Sequence, residues 1–199
     1  MSKTANIFLF YGENSYLSKE KLKNWKEAFI KKHGADCLES IEGKNLNPQE
    51  FTTNIEALPF LSEKRLIIVK DFLSIKKSDN QKKVAENIEK AADSSIIIFY
   101  ENKDIDKRSS LYKKILKIGK AEEFKALNPN EISKWVLDKA KAENIKISFT
   151  NANYLGQNCG PDLWHVSSEF EKLKLFSNGE EITRTMIEQI GRASCRERV

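Results

Sequence analysis

The sequence predicts an α/β fold, a parallel sheet covered by helices on both faces and followed by a small all-helical unit, and three observations carry that prediction. Short apolar runs of strand length, rich in β-branched and aromatic residues, recur at 7–11, 66–72 and 95–100. Between them lie stretches whose apolar residues repeat at helical spacing, the alternation that builds parallel sheets. Beyond residue 127 the strand-like runs stop and only helical spacing remains.

Residues 7–11 read as a short buried strand, which Gly12-Glu13-Asn14-Ser15 breaks sharply. Leu22, Trp25 and Phe29 follow at helical spacing with lysines on the other face, until His33 and Gly34 close the helix. Residues 37–41 are a second strand and 48–58 a second helix, with Pro48 near its start and Phe51 and Ile55 four apart. After the third strand at 66–72, residues 84–92 form a polar-faced helix and 95–100 a fourth strand. Leu111, Ile115 and Ile118 mark another helix, and 121–124 a last short strand. The boundary falls close to Ala126, so the expected domains are 1–126 and 127–189. In the second, Asn128-Pro129-Asn130-Glu131 has the form of a capped helix start, with Ile132, Trp135, Val136 and Ala140 on one face behind it. A second helix holds Tyr154 and Leu155 and ends at Gly160-Pro161. A third runs from Asp162, as its cap, through Leu163, Val166, Phe170 and Leu173 to the stop at Ser177-Asn178-Gly179, and a short fourth begins near Ile182.

One stretch does not fit a plain connection. Leu58-Pro59-Phe60-Leu61 sets three large apolar side chains around a proline, directly before Ser62-Glu63-Lys64-Arg65 and the third strand. A chain that only needed to turn would normally place Gly, Asn or Asp there. Proline cannot continue the preceding helix, so Phe60 and Leu61 fall at its tip. Two readings stand side by side: a staple folded back on the core, or an apolar wedge offered to a partner's pocket.

The composition, 40% hydrophobic and 32% charged over 199 residues, suffices for one good core plus a satellite unit. Residues 190–199 look foreign, resembling the conceptual translation of a sequencing adapter, and the expectation is that the natural protein continues past Gln189. Without that tail the formal charge falls from +5 to +3, with Lys and Glu interspersed. Cys37 and Cys159 then remain, far apart and without metal-ligand spacing, and read as small buried apolar residues. No signal peptide and no apolar stretch of the ~18 residues that a membrane span needs is present, so a reduced, soluble, cytoplasmic protein is expected.

A strand, glycine turn and helix invite a test for a nucleotide site. The phosphate-binding loop G-x-x-x-x-G-K-[ST] needs its second glycine for close approach of backbone N–H groups and its lysine for charge. Counting from Gly12 puts Leu17, Ser18 and Lys19 at those positions, and the loop fails. Asp71 ends the third strand without a second acid, since Phe72 follows, so no water-activating carboxylate is evident. Glu101-Asn102 ends the fourth strand, where polar residues often read a γ-phosphate and where a strand must end on something polar in any case. Neither His33 nor His165 has a nucleophile near it in sequence. The pairs Lys31-Lys32, Lys76-Lys77, Lys82-Lys83 and Lys113-Lys114 have acids among or near them and read as solvated helix faces. No catalytic site, metal or cofactor is expected. The frame of a nucleotide-binding fold remains, without its chemistry. A small NTPase and, from the lysine pairs and a pI of about 8.9, a non-specific nucleic-acid-binding module stand as alternatives.

Residues 7–14 with the amphipathic helix behind them, 58–66 (LPFLSEKRL), 95–101, Trp135, and 168–173 (SEFEKL) together resemble the delta subunit of the bacterial DNA polymerase III clamp loader. The resemblance runs from about residue 5 to 189 and covers that family's first two domains; the third, a helical collar, has no counterpart here. It implies an AAA+-type fold that has lost ATP binding, in keeping with the failed loop, followed by a lid domain. It also implies a role in DNA replication: binding the beta sliding clamp and opening it for loading on primed DNA. The subunit would have no catalytic site of its own within a DNA-directed DNA polymerase holoenzyme, a nucleotidyltransferase. Its partners would be the clamp, the gamma/tau and delta prime subunits, and primed DNA through the assembled complex. Carried onto this chain, the clamp-binding pair falls at Pro59 and Phe60, with Leu58 and Leu61 as flanking contacts.

Overall fold

The computed structural model describes residues 6–58, 63–75 and 79–196; Pro59, Phe60 and Leu61, and the pair Lys76-Lys77, lie outside the described residues. The chain divides into two compact units, Met1–Lys125 and Ala126–Val199.

The first unit is built on five parallel strands in the order β2-β3-β4-β1-β5: β1 (Ile7–Tyr11), β2 (Leu38–Glu42), β3 (Arg65–Lys70), β4 (Ser95–Tyr100) and β5 (Lys120–Glu123). The central pairing sets Leu66 beside Ile96 and Val69 beside Phe99, and β1 runs in register with β4 from Ile7 opposite Ile97. Because side chains alternate across a strand, the central run 66–69 supplies both faces. Leu66 and Ile68 join Phe10, Ile98 and Tyr100 under α1 (Ser15–His33), which contributes Leu22 and Phe29. Ile67 and Val69 join Leu9, Ile97 and Phe99 on the other face. That face is covered by α2 (Pro48–Glu56) with Phe51 and Ile55, α3 (Asp79–Asn87) with Val84, and α4 (Ser110–Ile118) with Leu111 and Ile115. Every residue of 66–69 is fully buried, each stabilising the unit by about 1.5–3 kcal/mol relative to exposure.

The edge strands are short and charged. Glu39 and Glu42 on β2, and Lys120, Glu122 and Glu123 on β5, are the residues that discourage pairing with another chain.

The second unit is helical. In α5 (Pro129–Ala142) the expected cap is present as a reciprocal box: Asn128 Oδ1 accepts from the Asn130 and Glu131 N–H groups, and Glu131 accepts from the Asn128 N–H. Ser148 caps α6 (Phe149–Cys159), which stops at Gly160; Asp162 caps α7 (Leu163–Ser177), which stops at left-handed Asn178. The last helix, α8 (Arg184–Arg196), has thirteen residues, so it is not the short element expected, and its backbone runs through part of the foreign-looking tail.

Other boundaries also differ from expectation. Helix α2 ends at Glu56, not at 58, because the ring of Pro59 disfavours helical geometry at Leu58, and Ala57 already has extended dihedrals (φ −68°, ψ 137°). Helix α3 begins at Asp79, five residues earlier than its apolar spacing indicated, and gives way to a single 3-10 turn at Ile88–Lys90. Cys37 and Cys159 are half-buried, not buried; burial still pushes the Cys159 thiol up to about 11. Among the described residues no helix is long and apolar enough to cross a membrane, and no group of three His, Cys, Asp or Glu side chains could hold a metal ion.

Candidate functional site

Because the strands are parallel, the carboxyl end of β1 and the amino end of β3 lie at opposite ends of the sheet. The glycine loop follows the carboxyl end of β1, whereas the apolar stretch at 58–61 precedes the amino end of β3.

At the carboxyl end of β1, Gly12 is held at φ +123°, and a Cβ there would stand 2.4 Å from the Phe124 carbonyl oxygen. That close approach lets Asn14 N–H donate to Phe124 O at 2.9 Å and Phe124 N–H donate to Tyr11 O at 2.7 Å. Asn14, buried, then caps α1: its Oδ1 accepts from Leu17 N–H at 3.1 Å, and its carbonyl accepts from Ser18 N–H at 3.2 Å. Ser18, fully buried, turns its hydroxyl to the Ser15 carbonyl at 3.2 Å and lies 3.5 Å from the Tyr100 hydroxyl. Leu17 packs on the core and Lys19 is exposed. Backbone donors that a phosphate loop would aim at its ligand are thus spent on the chain itself. Beside this loop the Tyr11 hydroxyl meets that of Tyr112 at 3.1 Å, and Lys107, 5.3 Å over the Tyr11 ring, bonds Glu123 at 2.7 Å.

The ends of β3 and β4 are tied together in a way the sequence did not reveal. Asp71 (φ 51°) accepts the Asn102 N–H at 2.9 Å. Glu101, fully buried, turns back into the protein and accepts N–H bonds from Phe72, Leu73 and Ser74 at 2.9, 2.8 and 3.0 Å. The same turn is held from the other side by the Gln81 amide, which donates to the carbonyls of Phe72, Leu73 and Ile75. A residue placed to read a γ-phosphate therefore serves as a turn anchor. Next to it lies a cleft of about 830 Å³ lined by Leu73, Ile75, Ile105, Lys82 and Arg108 among others. Its two basic residues are engaged by acids, Lys82 by Asp79 at 3.1 Å and Arg108 by Asp106 at 3.1 Å.

Burial pushes the Glu101 carboxyl up to about 7 against the pull of its three N–H donors. A carboxyl raised above its ordinary value binds more protons folded than unfolded, so stability falls as pH rises from the unfolded value near 4.5 to about 7 and is flat above that. The shift corresponds to about 3 kcal/mol over that window at 1.36 kcal/mol per unit. Urea titrations at pH 5 and pH 7.5 are expected to show most of that loss, about 2 kcal/mol, in the wild-type chain, and Glu101→Gln to remove this group's part of the slope. An unchanged slope in the variant would contradict this assignment.

Toward the amino end of β3, α2 leads in sequence to the apolar stretch. Ile55 is fully buried, and its carbonyl accepts both the Ala92 N–H at 2.9 Å and the Ser95 hydroxyl at 3.0 Å, fastening the helix end to the start of β4. Immediately beyond, Glu56, Ala57 and Leu58 are exposed, Leu58 to 76%. Of the four predicted docking residues, this is the one the structure describes.

The chain matches the family described as DNA polymerase III, delta subunit, over residues 8–126. It is 25% identical over 188 residues to the DNA polymerase III subunit delta of Bacillus subtilis (strain 168), covering 89% of this chain and 54% of that protein. It thus spans about half the length of that relative. Among solved structures, the Bacillus subtilis DNA clamp loader delta protein is similar with a TM-score of 0.65 and 23% identity, over 94% of this chain and 58% of that one. The Thermotoga maritima RuvB Holliday junction branch migration motor is similar with a TM-score of 0.62 and 11% identity, over 95% and 61%. At these identities the structural likenesses establish the AAA+-like fold.

Proposed function

The chain belongs to the DNA polymerase III delta subunit family, and from that premise we propose that it docks on the beta sliding clamp through Leu58, Pro59, Phe60 and Leu61 and favours the open ring. The observation that carries the reading is Leu58, a large apolar side chain left 76% exposed where a helix end fastened to the core releases the chain. Single exposed leucines are ordinary on protein surfaces. This one begins a run of four apolar residues, and two or three such side chains seated in a pocket yield several kcal/mol at about 1.5–3 each before the cost of association. A wedge opens a ring only by binding the open form more tightly than the closed one.

In this reading Gly12, Leu17, Ser18 and Lys19 are the remnant of a phosphate loop, and the chain binds no nucleotide. The donors already spent on Phe124 and Asn14 support that reading. ATP-driven neighbours, the gamma/tau subunits with delta prime, control when the tip is presented, and primed DNA is reached through the assembled cytoplasmic complex. The helical unit is the lid, with a collar domain beyond it in the whole protein.

Release of clamps preloaded on nicked circular DNA tests the proposal. Excess chain is expected to speed release at least tenfold without ATP; release at the spontaneous rate would remove ring opening from the account. Equilibrium dialysis with ATP is expected to show no saturable uptake, and a micromolar Kd would restore the NTPase alternative.

A further inference from the structure

Three side chains from three elements meet at the root of the docking segment. Arg65, the first residue of β3, donates from Nη1 to the Asn54 carbonyl at 2.6 Å and also to Asn54 Oδ1. Asn54, in the last turn of α2, donates from Nδ2 to Glu39 Oε2 on β2 at 2.7 Å. The result is a continuous cation, amide and carboxylate chain. Its polarity requires the Asn54 oxygen to face the guanidinium and its nitrogen to face the acid, so each bond strengthens the next.

The chemistry suits the place. The carbonyls in the last turn of a helix have no helical partner and form the negative end of its dipole, so a guanidinium there is doubly favoured. The neighbouring Ile55 carbonyl is taken by Ala92 and Ser95, and the Arg65 N–H donates to Ser94 O at 2.9 Å. Asn54 and Arg65 therefore bond to each other directly across the ten residues between them, and those ten include all four proposed docking residues. Closing the ends of a loop removes conformations that binding would otherwise have to remove.

We propose that Arg65, with Asn54 and Glu39, is a positioning clasp that sets the docking segment for the clamp. The inference rests on the clamp-binding reading above. Both bonds leave one nitrogen, Nη1, of a planar guanidinium, and a lysine ammonium on a flexible stem does not hold that single geometry.

The test is a kinetic titration of the chain against the sliding clamp of its own organism, comparing wild type, Arg65→Met and Arg65→Lys. Opening the clasp widens the range of conformations between residues 54 and 65 and lowers the competent fraction, so Arg65→Met is expected to bind about tenfold more weakly, almost wholly through slower association, with Arg65→Lys recovering part. The dissociation rate, set by the apolar contact, stays within about twofold. A residue that only supported the fold would lower the melting temperature without this division between the two rates. Wild-type association in Arg65→Met, or a loss carried by dissociation, overturns the clasp. Should Arg65→Met fail to fold, Glu39→Gln at the exposed end of the chain takes its place, with about a threefold slower association expected and an unchanged rate overturning the proposal. If the wild-type chain itself does not bind the clamp, the docking reading falls and the clasp falls with it, an outcome separate from normal wild-type binding with insensitive variants.

Discussion

Phe60→Ala is expected to lower the affinity of the chain for its sliding clamp by about 100-fold, the 2–4 kcal/mol of an aromatic anchor at the centre of an interface. The residue follows Leu58 and Pro59 in sequence, after the chain has left α2, and the end of that helix is held by the bonds of Ala92 and Ser95 to the Ile55 carbonyl. Far-ultraviolet circular dichroism and the urea midpoint should therefore match wild type. Leu58→Ala, a flanking truncation, should cost less, about fivefold. The control decides between the two readings of this stretch. If Phe60→Ala instead unfolds the chain, the ring is a staple in its own core and the docking account fails.

Gly12→Ala is expected to destabilise the α/β unit by about 3–5 kcal/mol, near the upper end for a single substitution. Two effects combine. The backbone stands at φ +123°, where a side chain is strained by about 1–3 kcal/mol. The new Cβ would also meet the Phe124 oxygen at 2.4 Å and its nitrogen at 2.8 Å, and these are the atoms that bond Asn14 and Tyr11. Backbone cannot swing aside as a flexible side chain does, so relieving the clash breaks one or both hydrogen bonds. Urea denaturation measures the loss directly, and a change below about 1 kcal/mol would show that the loop yields. The glycine is thus required by the fold itself, with no phosphate needed to explain it.

Much of the architecture was legible because its signals are local. Strands β1 and β4 fall on the runs that announced them, and the Asn128 box and the Asp162 cap begin helices where capping chemistry required. What escaped depends on partners distant in sequence. Helix α3 starts on a polar turn without apolar spacing, and Gln81 is buried there because three carbonyls of the 72–75 turn receive its amide. Glu101 looked like a polar strand end, and its inward turn is set by N–H groups 27 to 29 positions earlier. Arg65 was visible as a basic residue before a strand, but nothing in the spacing of Asn54 or Glu39 marks either as its partner. At the candidate site, the four apolar residues stood out by composition, since a turn needs none of them, and the failure of the phosphate loop could be counted off from Gly12.

Equilibrium titration of the chain against the beta clamp of its own organism, with a synthetic peptide of residues 57–64 as competitor, decides whether this stretch is what docks. Saturable binding is expected, displaced completely by the peptide and not by the same peptide with alanine at positions 58, 60 and 61. Binding that persists in excess peptide, or no binding at concentrations up to about 100 μM, a Kd weaker than about −5.5 kcal/mol, would contradict it.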